Sequence, residues 1–168
     1  MTVVIPGLRK IHVESIPRSL EKAEHYRLLN VPEQAESICL DILAVDPDNQ
    51  RAIMELVLSL TDQFVEHTTS SRVRDAKQWV TKVTDDYQRT YATGLIHERE
   101  GRAYLARGGM SSTFAYESLR DAMDWYEKAD AMHPEGNEDA ILRWNSCVRT
   151  IKRERLRPPH DHPEQPLE

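Results

Sequence analysis

The placement of proline leaves most of this chain free to form helices. No proline lies between Pro47 and Pro134, and proline is the residue that most strongly breaks a helix interior. Apolar residues in this long stretch recur near the 3.6-residue period of an amphipathic helix. Glycine is scarce there, and the adjacent pair Gly108 and Gly109 predicts a helix end. The chain is therefore predicted to be all-α.

Start and stop signals divide the chain into seven predicted helices. A 168-residue chain is long enough to bury one substantial core, so the helices are assigned to one domain, residues 17–156. Residues 1–16 are an N-terminal extension, with Ser15 a candidate N-cap. The Pro-rich tail 157–168 is predicted to be disordered. The predicted helices span residues 17–29, 32–45, 49–66, 72–84, 87–107, 111–132 and 138–156.

The helices carry an internal repeat, which is the feature to seek before assigning a fold. Each even-numbered helix has an alanine followed by bulky residues three and four positions later, beginning at Ala35, Ala76 and Ala122. The odd-numbered helices have a compact residue followed three positions later by a ring or a leucine, in the pairs Ala23/Tyr26, Val57/Leu60 and Gly101/Tyr104. A compact residue lets two helices approach closely.

This pattern resembles the tetratricopeptide repeat, which uses these residue types on its A and B helices and a proline after helix B. Pro47 and Pro134 follow two of the three pairs, whereas the middle pair lacks both the proline and the tyrosine. The resemblance implies a right-handed stack of antiparallel helix pairs. It would contain three hairpins and a seventh, capping helix, whose outer face must be polar because no further repeat covers it.

The resemblance also implies a concave groove lined mostly by the A helices. Some family members use a lysine/asparagine clamp there for a peptide carboxylate. The corresponding positions are here Leu20, Glu24, Met54 and Leu58, so the clamp is absent. The residues expected to face the groove are Leu20, Glu24 and Arg27 from the first A helix, Met54, Glu55, Leu58 and Asp62 from the second, and Glu98, Arg99, Arg102 and Leu105 from the third.

Candidate catalytic and metal sites have little support in the sequence. A di-metal helical bundle needs paired Glu-x-x-His motifs, and the sequence contains none. His97-Glu98 begins like a zinc-protease motif, but Gly101 stands where the second histidine is needed. Cys39 and Cys147 lie on apolar stripes, which predicts buried thiols. We therefore expect no enzyme activity, no metal and no cofactor.

Charge and hydropathy narrow the expected partners. The chain has 28 acidic and 22 basic residues, a net charge of −6, whereas nucleic-acid binding needs a basic footprint. No apolar stretch approaches the roughly 20 residues that span a bilayer, and the N-terminus lacks the pattern of a signal peptide. We expect a cytoplasmic protein that binds neither nucleic acid nor membranes.

The sequence thus predicts a non-catalytic protein–protein interaction module that binds a peptide or helix of another protein in its groove. One alternative is a helical-bundle enzyme or small-ligand sensor with a closed pocket between helices. Another is self-assembly into a homo-oligomer, in which apolar residues near the N-terminus pair subunits. The candidates for that pairing are Val3–Ile5, Leu8 and Ile11.

Overall fold

The structure is a computed structural model that describes residues 3–66, 71–109 and 111–159. Within these ranges it contains seven α-helices and no strand, so the all-α prediction is confirmed. A single 3₁₀ turn, Val13–Ser15, precedes the first helix. The helices are α1 Ile16–Leu28, α2 Pro32–Val45, α3 Gln50–Thr61, α4 Ser71–Val80, α5 Asp86–Arg107, α6 Ser111–Asp130 and α7 Asp139–Arg153.

Local side-chain chemistry explains several helix starts. Asn49 Oδ1 accepts a hydrogen bond from the Ala52 backbone N–H at 3.0 Å, which caps α3. Asp85 caps α5 in the same way, and Pro32 occupies the first position of α2, where its missing N–H costs nothing. Ser15 occupies the predicted N-cap position of α1, but it makes no side-chain capping bond, because its hydroxyl donates backwards to the His12 carbonyl at 2.7 Å.

Helices α3 and α4 end well before their predicted ends at residues 66 and 84, and side-chain hydrogen bonds accompany both ends. The hydroxyl of Thr81 donates to the Gln78 carbonyl at 2.7 Å, just beyond the end of α4. Gln50 of α3 then accepts from the Thr84 backbone N–H at 2.9 Å. In α3, the Thr61 hydroxyl donates to the Leu58 carbonyl, and residues 62–66 continue only as turns. Such local bonds are a known alternative to helix propagation.

The helices pack in chain order, each against the next from α1 to α7. In addition, α1 contacts α3 and α3 contacts α5. The apolar side chains form two core clusters. The first core cluster draws on α1 to α5, and the second on α5, α6 and α7. The molecule is therefore a stack of helices in which α5 belongs to both clusters.

The alanines of the repeat pattern lie at the centre of this packing. Ala35, Ala76 and Ala122 are all fully buried. On α5, Gly101 allows α6 to approach, since an added Cβ would lie 3.0 Å from Leu119 Cγ. Gly94 is tighter still, because an added Cβ would lie 2.7 Å from Cε1 of the Tyr126 ring. Small residues on α5 therefore permit the close α5–α6 packing.

The chain before the helices has an exposed part and an anchored part. Residues 3–10 are exposed and non-helical, whereas Ile11 is half-buried and packs against the first core cluster. The prediction that Ile11 is exposed and pairs subunits is thus wrong, because this side chain packs within its own chain. At the other end, residues 157–159 are exposed and non-helical. Most of the tail that is predicted to be disordered, residues 160–168, lies outside the described residues.

Candidate functional site

A groove with a volume of about 540 Å³ lies between α1, α3, α5 and the start of α7. The apolar and aromatic residues of its lining are here called the floor, and the polar residues are called the rim. The floor residues are Met54, Leu58, Tyr87, Tyr91 and Leu95. The rim residues are Glu24, Gln50, Arg51, Glu55, Gln88, Asn137 and Asp139.

Helical periodicity brings the groove residues to one side of their helices. Met54 and Leu58 are four residues apart on α3, and Tyr87, Tyr91 and Leu95 follow the same four-residue spacing on α5. Residues at this spacing lie above one another on a helix surface. The contacts α1–α3 and α3–α5 place these surfaces beside one another. The groove therefore follows from the packing of the odd-numbered helices.

The aromatic part of the groove is held in place by specific contacts. The rings of Tyr87 and Tyr91 stack with their centroids 6.0 Å apart, and Tyr91 lies 5.8 Å from the ring of Tyr126. The Tyr87 hydroxyl donates to Oδ1 of Asn137 at 3.0 Å, which ties α5 to the loop before α7. Burial, with the nearby Asp139 carboxylate as a second cause, raises the pKa of Tyr87 above its ordinary value.

Four of the residues expected from the sequence line this groove, namely Glu24, Met54, Glu55 and Leu58. Sequence reasoning missed Tyr87, Tyr91 and Leu95, which form much of the floor. Their signal was available, because they share the four-residue spacing of one helix face. The repeat pattern did not include them, because its small and ring positions on α5 lie in the second half of the helix, around Gly101.

Three more of the expected residues join Glu55 in a network beside the groove, here called the first ion-pair cluster. Nε of Arg27 lies 2.7 Å from Oδ2 of Asp62, and a terminal nitrogen of Arg27 lies 3.5 Å from the Glu55 carboxylate. Arg99 reaches the other oxygen of Asp62 at 2.9 Å. The first ion-pair cluster thus links α1, α3 and α5 through the partly exposed Arg27, Asp62 and Arg99 and the buried Glu55.

The Glu55 carboxylate is the least exposed member of this network. Burial raises the pKa of Glu55 above its ordinary value, the Arg27 guanidinium opposes that shift, and Glu24 adds to it. Cys39 lies nearby in the first core cluster, and its pKa rises to about 12 through burial and through the Glu55 charge. The thiol is therefore protonated at neutral pH, and the predicted burial of Cys39 is confirmed.

Two expected residues of the third A helix lie in a different place. Glu98 is fully buried, and its Oε1 accepts from Nε and a terminal nitrogen of Arg102 at 3.0 and 2.8 Å. Its Oε2 accepts from the Tyr126 hydroxyl at 2.6 Å, and Arg143 of α7 approaches at 3.6 Å. These four residues are here called the second ion-pair cluster. The prediction that Glu98 faces the groove is wrong, because α6 and α7 cover this residue.

Arg102 likewise turns towards α7 rather than the groove. Its terminal nitrogens donate to the hydroxyl oxygens of Ser146 at 3.0 Å and Thr150 at 3.4 Å. Leu20 is also wrong as a groove residue, because its side chain is buried in the first core cluster. Leu105, near the end of α5, is half-buried and does not line the groove.

A smaller cavity of about 260 Å³ lies between α6 and α7. Its lining includes Trp144, whose indole N–H donates to the Glu127 carboxylate at 3.2 Å. Elsewhere in the second core cluster, Cys147 is buried as predicted, and its pKa rises to about 12 through burial and the Glu98 charge. Among the described residues, no group of three or more metal-binding side chains is gathered.

Comparison with known proteins gives no match: no family model, no curated protein and no solved structure matches this chain. Among the described residues, none of the helices combines the length and apolar character needed to cross a bilayer.

Proposed function

We propose that the chain is a non-catalytic interaction module that binds a peptide or helix of another protein in the groove between α1, α3 and α5. The observation that carries the proposal is the composition of the groove, an apolar floor bordered by charged groups. Recognition of amphipathic segments depends on this combination, in which apolar side chains anchor the ligand and charges select it.

The resemblance to tetratricopeptide repeats supports the same proposal. In that family the A helices form the inner, ligand-binding surface, and α1, α3 and α5 hold the A positions in this chain. The packing of α1 against α3 and of α3 against α5 is compatible with such an array. The proposed arrangement is three helix pairs capped by α7.

The rim charges define the chemistry of the expected ligand. The groove lining contains the carboxylates of Glu24, Glu55 and Asp139 and the guanidinium of Arg51. Arg51 is paired with Glu24 at 2.7 Å and Arg27 approaches Glu55 at 3.5 Å, so Asp139 supplies the excess negative charge of the rim. We therefore expect a ligand that combines apolar side chains with lysine or arginine, since opposite charges give both steering and specificity.

Charge reversal at Arg102 is unsuitable as a test of the groove. Arg102 donates two hydrogen bonds to the buried Glu98 carboxylate. A carboxylate in its place would put two like charges together at a buried site and destabilise the fold. Loss of binding in such a variant would report unfolding rather than groove chemistry.

A cleaner test selects ligands from a random displayed peptide library with the wild-type chain and with M54K/Q88K. Both altered residues line the groove, and the new lysines place positive charge on its floor and rim. We expect wild type to enrich apolar peptides that carry lysine or arginine, and M54K/Q88K to bind them at least tenfold more weakly.

The control is L40K/Q78K, which likewise replaces one large apolar residue and one glutamine by lysine, at exposed positions of α2 and α4 outside the groove. It should bind the selected peptides as wild type does, and circular dichroism should show that both variants are folded. Equal binding by all three chains, or no enrichment by wild type, would refute the groove proposal.

A further inference from the structure

The N-terminal residues 3–10, here called the arm, expose an unusual run of apolar side chains. Val3, Val4 and Ile5 are 83–85% exposed, and Leu8 is 96% exposed. Isolated apolar residues are normal at a surface, but a contiguous exposed group marks an interaction site. The arm of a chain does not lie in that chain's own groove, since these side chains remain open to solvent.

The arm is an exposed, non-helical segment with a fixed base. Pro6 disfavours helical backbone at the residue before it, which keeps Ile5 extended. At the other end, Ile11 packs against the first core cluster, and the Ser15 backbone N–H donates to the His12 carbonyl at 3.0 Å. The base therefore belongs to the helical domain, while the residues before it are presented outward.

The arm also complements the groove in charge. Arg9 and Lys10 follow its apolar residues, and the groove rim carries the exposed Asp139 and the exposed Glu24, which Arg51 already contacts. The apolar side chains of the arm would contact the apolar floor while the two basic residues reach the acidic rim.

We propose that the groove of one molecule binds the arm of a second copy of this chain. The exchange is reciprocal, so that each molecule gives its arm and receives its partner's, and the result is a closed twofold dimer. This inference rests on the proposed function, because it assigns an occupant to the same groove. It requires no change in the helical domain, since the arm is already exposed.

The first experiment measures the molar mass of the full chain by sedimentation equilibrium from about 1 to 200 μM. We expect the mass to rise with concentration from the 19.4 kDa monomer towards twice that value. Leu8→Asp should raise the dissociation constant at least tenfold, because it places a charge on the apolar floor. Leu142→Asp, at an exposed apolar position of α7 outside the groove, is the control and should dimerise like wild type.

A charge exchange tests whether arm and groove meet. The arm variant R9E/K10E and the groove variant E24K/D139K should each dimerise at least tenfold more weakly than wild type. An equimolar mixture of the two should form a heterodimer, because an acidic arm then meets a basic groove and a basic arm meets an acidic groove. Circular dichroism of each variant checks that it is folded.

A wild-type chain that stays monomeric throughout, a dimer unaffected by Leu8→Asp, or a mixture that fails to pair would overturn the arm proposal. The peptide selection separates this failure from failure of the proposed function. A monomeric wild type that still enriches basic apolar peptides keeps the interaction module and loses only the arm as its ligand. If the dimers depend on the arm but wild type enriches no peptide, the arm proposal stands and binding of another protein in the groove is refuted.

Discussion

The two ion-pair clusters use the same residue types in contrasting surroundings. In the first, Asp62 receives Arg27 and Arg99, and all three side chains are 17–31% exposed. In the second, the Glu98 carboxylate is fully buried, and only its arginine partners reach solvent. The first cluster borders the groove, whereas the second lies among α5, α6 and α7.

The difference shows how α5 separates two tasks within a few residues. Glu98 and Arg102 are four residues apart, so they share a face and point to α6 and α7. Arg99 is one position further along than Glu98 and points to Asp62 on the α3 side. Water can replace a lost partner in the first cluster but cannot reach the Glu98 carboxylate. We therefore expect stability to depend much more on the second cluster.

The largest expected effect is that of Glu98→Ala, which should lower the free energy of unfolding by about 3 kcal/mol. The arginines of the second cluster can turn to solvent, but the buried Tyr126 hydroxyl loses its acceptor and a cavity opens beside it. Urea unfolding followed by circular dichroism measures the change. Glu117→Ala, at an exposed position of α6, is the control, and a Glu98→Ala effect as small as the control's would contradict the contrast.

The second largest effect should be that of alkaline pH, which should lower the free energy of unfolding by about 2 kcal/mol between pH 9 and pH 10. The pKa of Cys39 and that of Cys147 are each raised from 9.0 to about 12, first by burial and then by Glu55 or Glu98. An unfolded thiol releases its proton near pH 9 whereas the native thiol keeps it. Unfolding therefore releases protons, and stability falls as the pH rises from about 9 to 12.

The alkaline loss can be divided between the two core clusters by Cys39→Ala and Cys147→Ala. Urea unfolding at several pH values measures the slope of stability against pH, which is independent of any constant cost of the substitution. Each variant should lose about half of the thiol contribution to that slope. A slope unchanged by both substitutions would show that the thiols do not cause the loss.

Gly94→Ala should destabilise the chain by about 1–2 kcal/mol. Alanine is the better helix former, but its Cβ would lie 2.7 Å from the Tyr126 ring, which Glu98 holds in place. Overpacking of this kind typically costs more than the propensity gains. Gly7→Ala, where an added Cβ meets nothing within 4 Å, is the control. Thermal unfolding of both variants decides the point, and a Gly94→Ala variant at least as stable as wild type would show that Tyr126 can move.

The smallest expected effect is that of Asp62→Asn in the first ion-pair cluster, at about 1 kcal/mol or less. Its arginine partners are partly exposed, so solvent screens the lost interaction. Urea unfolding at low salt and in 1 M NaCl tests this, since salt should reduce the difference between variant and wild type. A loss as large as that of Glu98→Ala would remove the distinction between the clusters.

The architecture was accessible from the sequence because its signals are local. Proline positions and the apolar period predicted seven helices, and the described residues contain all seven. The buried alanines and the Cys39 thiol followed from the same stripes. The helix ends were less accessible, because a distant residue such as Gln50 takes the backbone groups of the turn after α4.

The site was only partly accessible, because exposure depends on which helices cover a face. Glu24 and Glu55 were found because the early A helices face the groove. Glu98 was misplaced because the resemblance to the tetratricopeptide repeat assigned its position on the third A helix to the groove. Its burial depends on Tyr126 and Arg143, which are distant in sequence and meet it only after α6 and α7 pack.

Helix α5 contributes Ala92, Ile96 and Ala103 to the first core cluster and Leu95 to the second. Division of the chain between α4 and α5 would therefore remove part of the first core cluster from the N-terminal fragment. It would also leave one apolar face of α5 uncovered in the C-terminal fragment. Neither fragment should be a stable protein alone. We expect the two parts to melt in a single cooperative transition, because both depend on α5.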